Sequence, residues 1–326
     1  MSKGIGRLFQ LGIAKETVRG TPESAAGYWI PFSEMSIEEK DQKIPDEQAY
    51  GVIEDSIGMS IITKWAQGNF KAPIGDKHFP LVLLAALGNL SSSLHAGESI
   101  VYDHTITVQQ SARHQALSLF LDDPLGGQDY KHALGVIESL EIVYELGQFL
   151  SYTANLRARK GATATLSPAN VTENRFLPKH VTFKTAANLA GLTGATPIEI
   201  KSLSLKIDAS VEDDYVLGSE EPADFLNKQF MVEGEFEATW TDESLKSVAL
   251  AGTPKALRID LVSDQVIGVA VNPQLQIDLA KCTFTEITRA IRINDIVMQT
   301  IGFKAHYSVS DSKMITIKAV NTVSSY

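Results

Sequence analysis

Apolar and polar residues alternate strictly along several stretches of this chain. Ile57, Met59, Ile61, Thr63 and Trp65 alternate with Gly58, Ser60, Ile62 and Lys64, and Leu150, Tyr152, Ala154, Leu156 and Ala158 with Ser151, Thr153, Asn155, Arg157 and Arg159. Leu203, Leu205, Ile207, Ala209 and Val211 repeat the pattern, as do Val232, Gly234, Phe236, Ala238 and Trp240, and Ile301, Phe303, Ala305, Tyr307 and Val309. A period of two predicts strands with one apolar and one polar face. Half-buried strands of this kind belong to antiparallel sheets in sandwiches or barrels. Helical periodicity is scarce. Residues 80–87 are apolar almost all round and end at Gly88, and residues 242–251 open at Thr241 or Asp242 and close at Gly252. Each predicts one short helix packed on a sheet.

The order of these elements occurs twice. Gly68-Asn69-Phe70-Lys71-Ala72 matches Gly234-Glu235-Phe236-Glu237-Ala238, and Met35-Ser36-Ile37 sits where Leu203-Ser204-Leu205 sits. Each copy continues through a helix, a glycine (Gly88 or Gly252) and two long alternating segments, 137–146 with 150–158 and 291–297 with 301–309. A fixed-period repeat decides the architecture. The expected domains are therefore 1–165 and 166–326, joined by a linker at about 161–178 that contains Pro168 and Pro178. The length of 326 residues agrees with about two domains at ~150 residues each. Charge divides evenly: 14 Lys/Arg and 19 Asp/Glu before residue 166, 15 and 20 after it, −5 in each half.

The total of −10 argues against a sequence-specific DNA reader, which needs a basic face. Cys282 is the single cysteine, so neither an internal disulfide nor a thiolate metal site is available. The N-terminal residues lack an apolar h-region, and the longest apolar run, 81–87, is far short of the ~20 residues that span a bilayer. Folding in a cytosol is the expectation, with the Asn-x-Ser/Thr sites at Asn89 and Asn170 unused.

The residue spacings that catalysis or ligand binding needs are not met in the sequence. The histidines, at 78, 95, 104, 114, 132, 180 and 306, form no HxH or HExxH pair. His104 follows Asp103 directly, which places the two side chains on opposite sheet faces. No GxSxG elbow, phosphate loop or GxGxxG follows a strand. Asp122-Asp123, Asp213-Asp214 and Glu220-Glu221 are adjacent acids of loop-like stretches, whereas a glycosidase needs two carboxylates converging across a cleft. Trp29, Trp65 and Trp240 fall on strand patterns, where core packing is expected rather than a sugar-stacking platform. Arg157 and Arg159 share a polar face that suits an interface or solvent better than a phosphate. A glycan-active hydrolase, a carbohydrate-binding module and an adhesin remain the rival classes; each lacks its gathered acids or exposed aromatics.

Three stretches carry a family resemblance. Leu11-Gly12-Ile13-Ala14-Lys15-Glu16-Thr17-Val18-Arg19-Gly20-Thr21-Pro22 resembles the G-x-x-K-E-T-x-x-G-T start of many siphophage major tail tube proteins. Residues 200–208, Leu217-Gly218-Ser219-Glu220-Glu221-Pro222-Ala223-Asp224, and Val232-Glu233-Gly234-Glu235-Phe236-Glu237 are similar to that family's strand, GS-x-x-P loop and V-x-G-x-F strand.

The resemblance implies a mainly β protein of two tandem tail-tube-type β-sandwich or half-barrel domains. Each would carry a short flanking helix, and the domains would close into an intersubunit β-barrel. It implies a structural, non-enzymatic virion protein without cofactor or metal. Assembled in the host cytoplasm, it would stack in rings as a non-contractile tube that conducts DNA without binding it specifically. Its partners would be itself, the tail terminator and distal tail proteins at the ends, and the tape-measure protein in the lumen, with no membrane. The loops between the second and third strands, 40–55 and 212–228, would reach the next ring, making Asp41, Lys43, Asp46, Glu47, Asp213, Asp214, Glu220, Glu221 and Asp224 the inter-ring candidates. The first copy has Lys43-Ile44-Pro45-Asp46-Glu47 in place of GS-x-x-P. An acidic or neutral wall would let phosphate pass where a basic one would hold it. Glu233, Glu235 and Glu237 are the candidate lumen-facing row, with an outer solvated face as the alternative. If a ring needs six tube domains, two per chain make a pseudo-sixfold trimer; if one copy lines the lumen, the ring is a hexamer.

Overall fold

Each of the five alternating stretches lies largely within a strand. A computed structural model describes residues 4–124 and 127–326. The first half contains β1 (Gln10–Lys15), β2 (Tyr28–Ile30), β3 (Glu34–Pro45), β4 (Met59–Pro73), α1 (Phe79–Leu87), β5 (Gly88–Leu94), β6 (Tyr102–Val108), β7 (Leu117–Asp122), β8 (Asp129–Glu145), β9 (Ser151–Ala158) and β10 (Ala162–Ala164). The second contains β11 (Val181–Ala186), β12 (Pro197–Ile198), β13 (Ile200–Asp208), β14 (Val211–Asp214), β15 (Asp224–Asn227), β16 (Met231–Thr239), α2 (Ser244–Leu250), β17 (Lys255–Val262), β18 (Gln274–Ala290), β19 (Met298–Ala305) and β20 (Ile315–Asn321).

Strand pairing recurs between the halves. β1 pairs with β2 and β7, as β11 pairs with β12 and β17. The order β3–β4–β9–β8 matches β13–β16–β19–β18. Even the register agrees: Met35 faces Phe70 and Ile37 faces Gly68, while Leu203 faces Phe236 and Leu205 faces Gly234. The β5–β6 hairpin has no counterpart in the second half, and the β14–β15 hairpin none in the first.

The halves are sewn together by backbone. β13 pairs antiparallel with the far end of β8, from Ser202 opposite Glu145 to Asp208 opposite Ser139, and β20 pairs with β6. One continuous sheet therefore runs β3–β4–β9–β8–β13–β16–β19–β18. Its inner side is apolar across the join, where Leu140, Ile142 and Tyr144 lie beside Leu203, Leu205 and Ile207, all buried in one core cluster.

β8 and β18 are each 17 residues long and belong to both layers. β8 pairs with β7 and β10 near its start and with β9 and β13 beyond Val136. The change of layer needs a bend. Leu134 has φ 57°, a left-handed conformation costly for a residue with a Cβ. Its N–H donates to buried Glu16 at 2.6 Å, and Gly20 N–H donates to the same carboxylate at 2.7 Å. Burial pushes the Glu16 pKa up; the hydrogen bonds from Leu134 and Gly20 oppose that shift without cancelling it.

α1 is buried on every side and ends at Gly88, whose φ of 95° suits a residue without a Cβ. α2 has no fully buried residue; Leu245, Val248 and Ala249 dock on the core while Leu250 stays exposed.

Several expectations differ from the fold. Residues 291–297 are a connection rather than a strand, because β18 lies earlier and ends at Ala290. Ile57, Met59 and Ile61 are exposed, since this end of β4 stands off the body with only β3 for company. A register shift opposite Gln42/Lys43 also breaks the even alternation. Within the expected linker, β10 pairs with β8, and residues 173–176 are docked on the first half. There Asn174 N–H donates to Asp76 at 2.8 Å, and both Glu173 oxygens lie within 2.6–2.8 Å of His78 Nδ1. Burial works to raise the Glu173 pKa, but hydrogen bonds from His78 and Lys77 hold it below the usual value. Residues 186–196 carry a short 3-10 turn, Leu189–Leu192, whose Leu192 is buried.

The paired glycines of the repeat have a steric reason. A Cβ on Gly68 would lie 1.7 Å from Ser36 O, and one on Gly234 2.3 Å from Ser204 O. Backbone cannot yield there without parting the strands. Gly68→Ala and Gly234→Ala should each destabilise the protein by about 1–3 kcal/mol, read as a lower urea midpoint. An unchanged midpoint would contradict this close approach.

Candidate functional site

Two features distinguish the continuous sheet: its polar outer face and its two open ends. The polar face is built by the residues that alternate with the core positions. Glu141 stands opposite Lys206, Lys206 opposite Glu233, and Glu233 opposite Lys304. These are register neighbours; the Lys206 ammonium itself lies 4.0 Å from Asp208 on its own strand. Glu235 faces Ser204 and Gly302, and Glu237 faces Ser202 and Thr300. The three glutamates do share one polar face, yet Glu233 sits between two lysines. In the first half the equivalent row is Glu38, Gln67 and Arg157. This face is mixed in sign, with no basic stripe. A shallow concavity of about 430 Å³ opens on it around Lys206, Glu233, Glu235, Glu286 and Lys304.

The sheet ends are β3 and the far part of β18. Among the described residues, β3 pairs only with β4, and residues 283–290 of β18 only with β19. Each therefore presents a row of unmet N–H and C=O groups, a template for another strand.

A family model of phage tail tube proteins matches residues 6–305. The chain belongs to the phage tail tube protein family. It is accordingly a structural component of a phage tail, and self-assembly into a tube is what the family implies. No curated protein matches the chain. Among the described residues no helix is long and apolar enough to cross a membrane, and no group of three or more His, Cys, Asp or Glu is placed to hold a metal ion.

The two loops expected to reach a neighbouring ring differ sharply. The expected 40–55 loop, part of an arm that runs on to residue 58, is largely exposed, with Asp41 paired to Lys43 at 3.3 Å, Tyr50 Oη donating to Asp46 at 3.0 Å, and Glu47 in solvent. Its apolar side chains Ile44, Tyr50, Val52, Ile53 and Ile57 are also exposed. The 212–228 loop instead folds onto the first half of its own chain. Arg157 donates to both Asp213 oxygens at 2.8 and 2.9 Å, and Lys64 pairs with Glu220. Arg159 donates to Pro222 O at 2.9 Å and Ala223 O at 2.6 Å. Buried Asp224 takes Arg19 and Arg113, while Arg19 also donates to Phe225 O at 2.8 Å. Asp214 lies in β14 opposite Asp224, and Glu221 N–H donates to Ser219.

Arg157 and Arg159 are thus interfacial, joining the two halves. Sequence reasoning missed Arg19, Arg113 and Lys64 as their companions, although Arg19 lies within the opening motif. Of the tryptophans only Trp29 is buried. Trp65 is partly exposed and donates to Gln67 at 2.9 Å, and Trp240 is exposed under the Arg289 guanidinium, 4.9 Å from its ring centre. His104 is buried between Ser92 and Asn321 while Asp103 bonds His95, so the two share no site. Cys282 is buried and its thiol pushed up to about 12.

Removing a hydrogen bond to a charged group costs roughly 1.5–3 kcal/mol. Arg159→Ala should therefore raise the open population of the 209–229 loop about tenfold or more, seen as faster protease cleavage there. Cleavage no faster than in the unaltered protein would contradict the clasp.

Proposed function

We propose that the chain is the repeating subunit of a long, non-contractile tail tube that conducts DNA, with 1–165 and 166–326 as two copies of one tube unit. The observation that carries this reading is the join between β8 and β13. It pairs the last strand of one four-stranded unit with the first strand of the next, and leaves the same two kinds of edge open at β3 and β18. Repeating the join between chains closes the sheet into a ring and removes its edges. Two units per chain favour a trimer with pseudo-sixfold symmetry; a hexamer with one unit outside is the alternative.

The polar face then lines the lumen, with Glu233, Glu235 and Glu237 on the wall. A mixed-sign, slightly acidic wall offers phosphate no continuous cationic track, so DNA passes without the counterion release that would hold it. The 40–58 arm, with Asp41, Lys43, Asp46 and Glu47 at its polar positions, reaches the adjoining ring and buries the apolar side chains it now exposes. The 212–228 loop stabilises the join inside each chain, where Asp213, Glu220 and Asp224 already have partners, and the partly exposed Asp214 and Glu221 are available for ring stacking. Terminator, distal tail and tape-measure proteins would meet the ends and lumen of the tube. Assembly would take place in the host cytoplasm.

Electron microscopy of concentrated recombinant protein tests this. Expected are tubes or rings with a central hole, whose end-on averages contain three chains and six similar wall densities. Six whole chains around the ring would overturn the trimer. Persistent monomers at high concentration would overturn the tube.

A further inference from the structure

The internal join also fixes how two chains should meet, a deduction that rests on the tube reading. The two halves can be aligned strand by strand through their pairings. Phe70 and Phe236 occupy the same place, and so do Met35 and Leu203, an offset of 168 residues for β3 and β13. Ile137 pairs with Leu156 as Phe284 pairs with Phe303, and Leu140 pairs with Ala154 as Ile287 pairs with Ile301. β8 and β18 therefore differ by 147 residues, and their register shifts fall at corresponding positions.

The join itself is observed: Ser204 faces Val143, Leu205 Ile142, Lys206 Glu141, Ile207 Leu140 and Asp208 Ser139. Carrying both offsets across, we infer that β18 of one chain pairs antiparallel with β3 of a second copy in one register: Ser36 opposite Ala290, Ile37 opposite Arg289, Glu38 opposite Thr288, Glu39 opposite Ile287 and Lys40 opposite Glu286.

Charge discriminates this register from its neighbours. It sets Lys40 against Glu286 on the polar face, and such opposite-charge pairs favour the register that forms them. A slip of two residues in one direction would place Glu38 against Glu286, two like charges directly opposed. The other two-residue slip would face Lys40 with Thr288 and lose the ion pair. A slip of one residue would turn the β18 core side toward the lumen. The second copy is the fitting occupant because the corresponding edge pair is already joined inside the chain, where the inner pairs are Leu205–Ile142 and Ile207–Leu140. Between chains these become Ile37–Arg289 and Glu39–Ile287, so the inner side of that join is part apolar and part charged.

Cysteine pairs read the register directly. Glu38, Glu286, Thr288 and Ala290 are exposed, so substitutions there should be tolerated. Native Cys282 is buried and stays unreactive. Residues directly opposite in a sheet have Cβ atoms about 4.5–5.5 Å apart, within reach of a disulfide after slight adjustment. Tubes of E38C/T288C protein, mildly oxidised, should link chain to chain about tenfold faster than tubes of E38C/E286C or E38C/A290C, as resolved on non-reducing gels. The same ranking should hold when each paired variant is co-assembled with an equal amount of unaltered chain, which rescues a variant that assembles poorly alone while leaving variant chains side by side. K40E should impair tube formation, and K40E/E286K should restore it. Faster linkage by an offset pair, or no linkage in tubes that form, would overturn the register while leaving the tube intact. Failure of the unaltered chain to form tubes would instead overturn the reading beneath it.

Discussion

Backbone hydrogen bonding at the sheet ends is the constraint on which the rest of this structure depends. Strand interiors satisfy their N–H and C=O groups through neighbours, but an outermost strand has one side unmet. Inside the chain this problem is solved once, where β13 completes β8. At β3 and the far part of β18 it is left open. A chain with two open edges of matching kind has what assembly by strand pairing requires, and the family to which it belongs is one of tail tube proteins.

The remaining architecture keeps those edges presentable. β8 and β18 run through both layers, so the outer layer and the helices brace the strands that carry the joins. Leu134 in β8 takes a left-handed conformation, and buried Glu16, just past the end of β1, accepts its N–H. The arginine clasp from β9 and the N-terminal loop pins the β14–β15 hairpin beside the internal join. That hairpin and β5–β6 are what distinguish the halves, so a trimer of such chains would be sixfold in its wall and threefold in its outer detail.

Local patterns in the sequence told much of this in advance. Alternation located β9, β13, β16 and β19, and the Gly-x-Phe-x-Ala motif marked equivalent positions because both glycines meet a neighbouring backbone carbonyl. An apolar run ending at Gly88 located the first helix, and an N-cap signal at Thr241 or Asp242 with a closing Gly252 located the second. What escaped was set by distant partners. Alternation cannot say which strand lies next to which, so the β8–β13 join was invisible. It also misjudged Ile57, Met59 and Ile61, whose pattern is that of a buried strand although their end of the hairpin stands in solvent. The acids of the 212–228 loop looked free because Arg157, Arg159 and Lys64 lie far away in sequence. Glu233, Glu235 and Glu237 read as an acidic stripe along one strand, but Lys206 and Lys304, distant in sequence, stand on either side of Glu233.

Amide hydrogen exchange, compared between free protein and assembled tubes, tests the central claim most directly. Residues 202–208 and 139–145 should be protected in both states, because their join is internal. Residues 36–40 and 286–290 should exchange quickly in the free chain and become protected to a similar degree in the tube. If those two segments exchange as fast in tubes as in free protein, the open edges are not the assembly surface and the account fails.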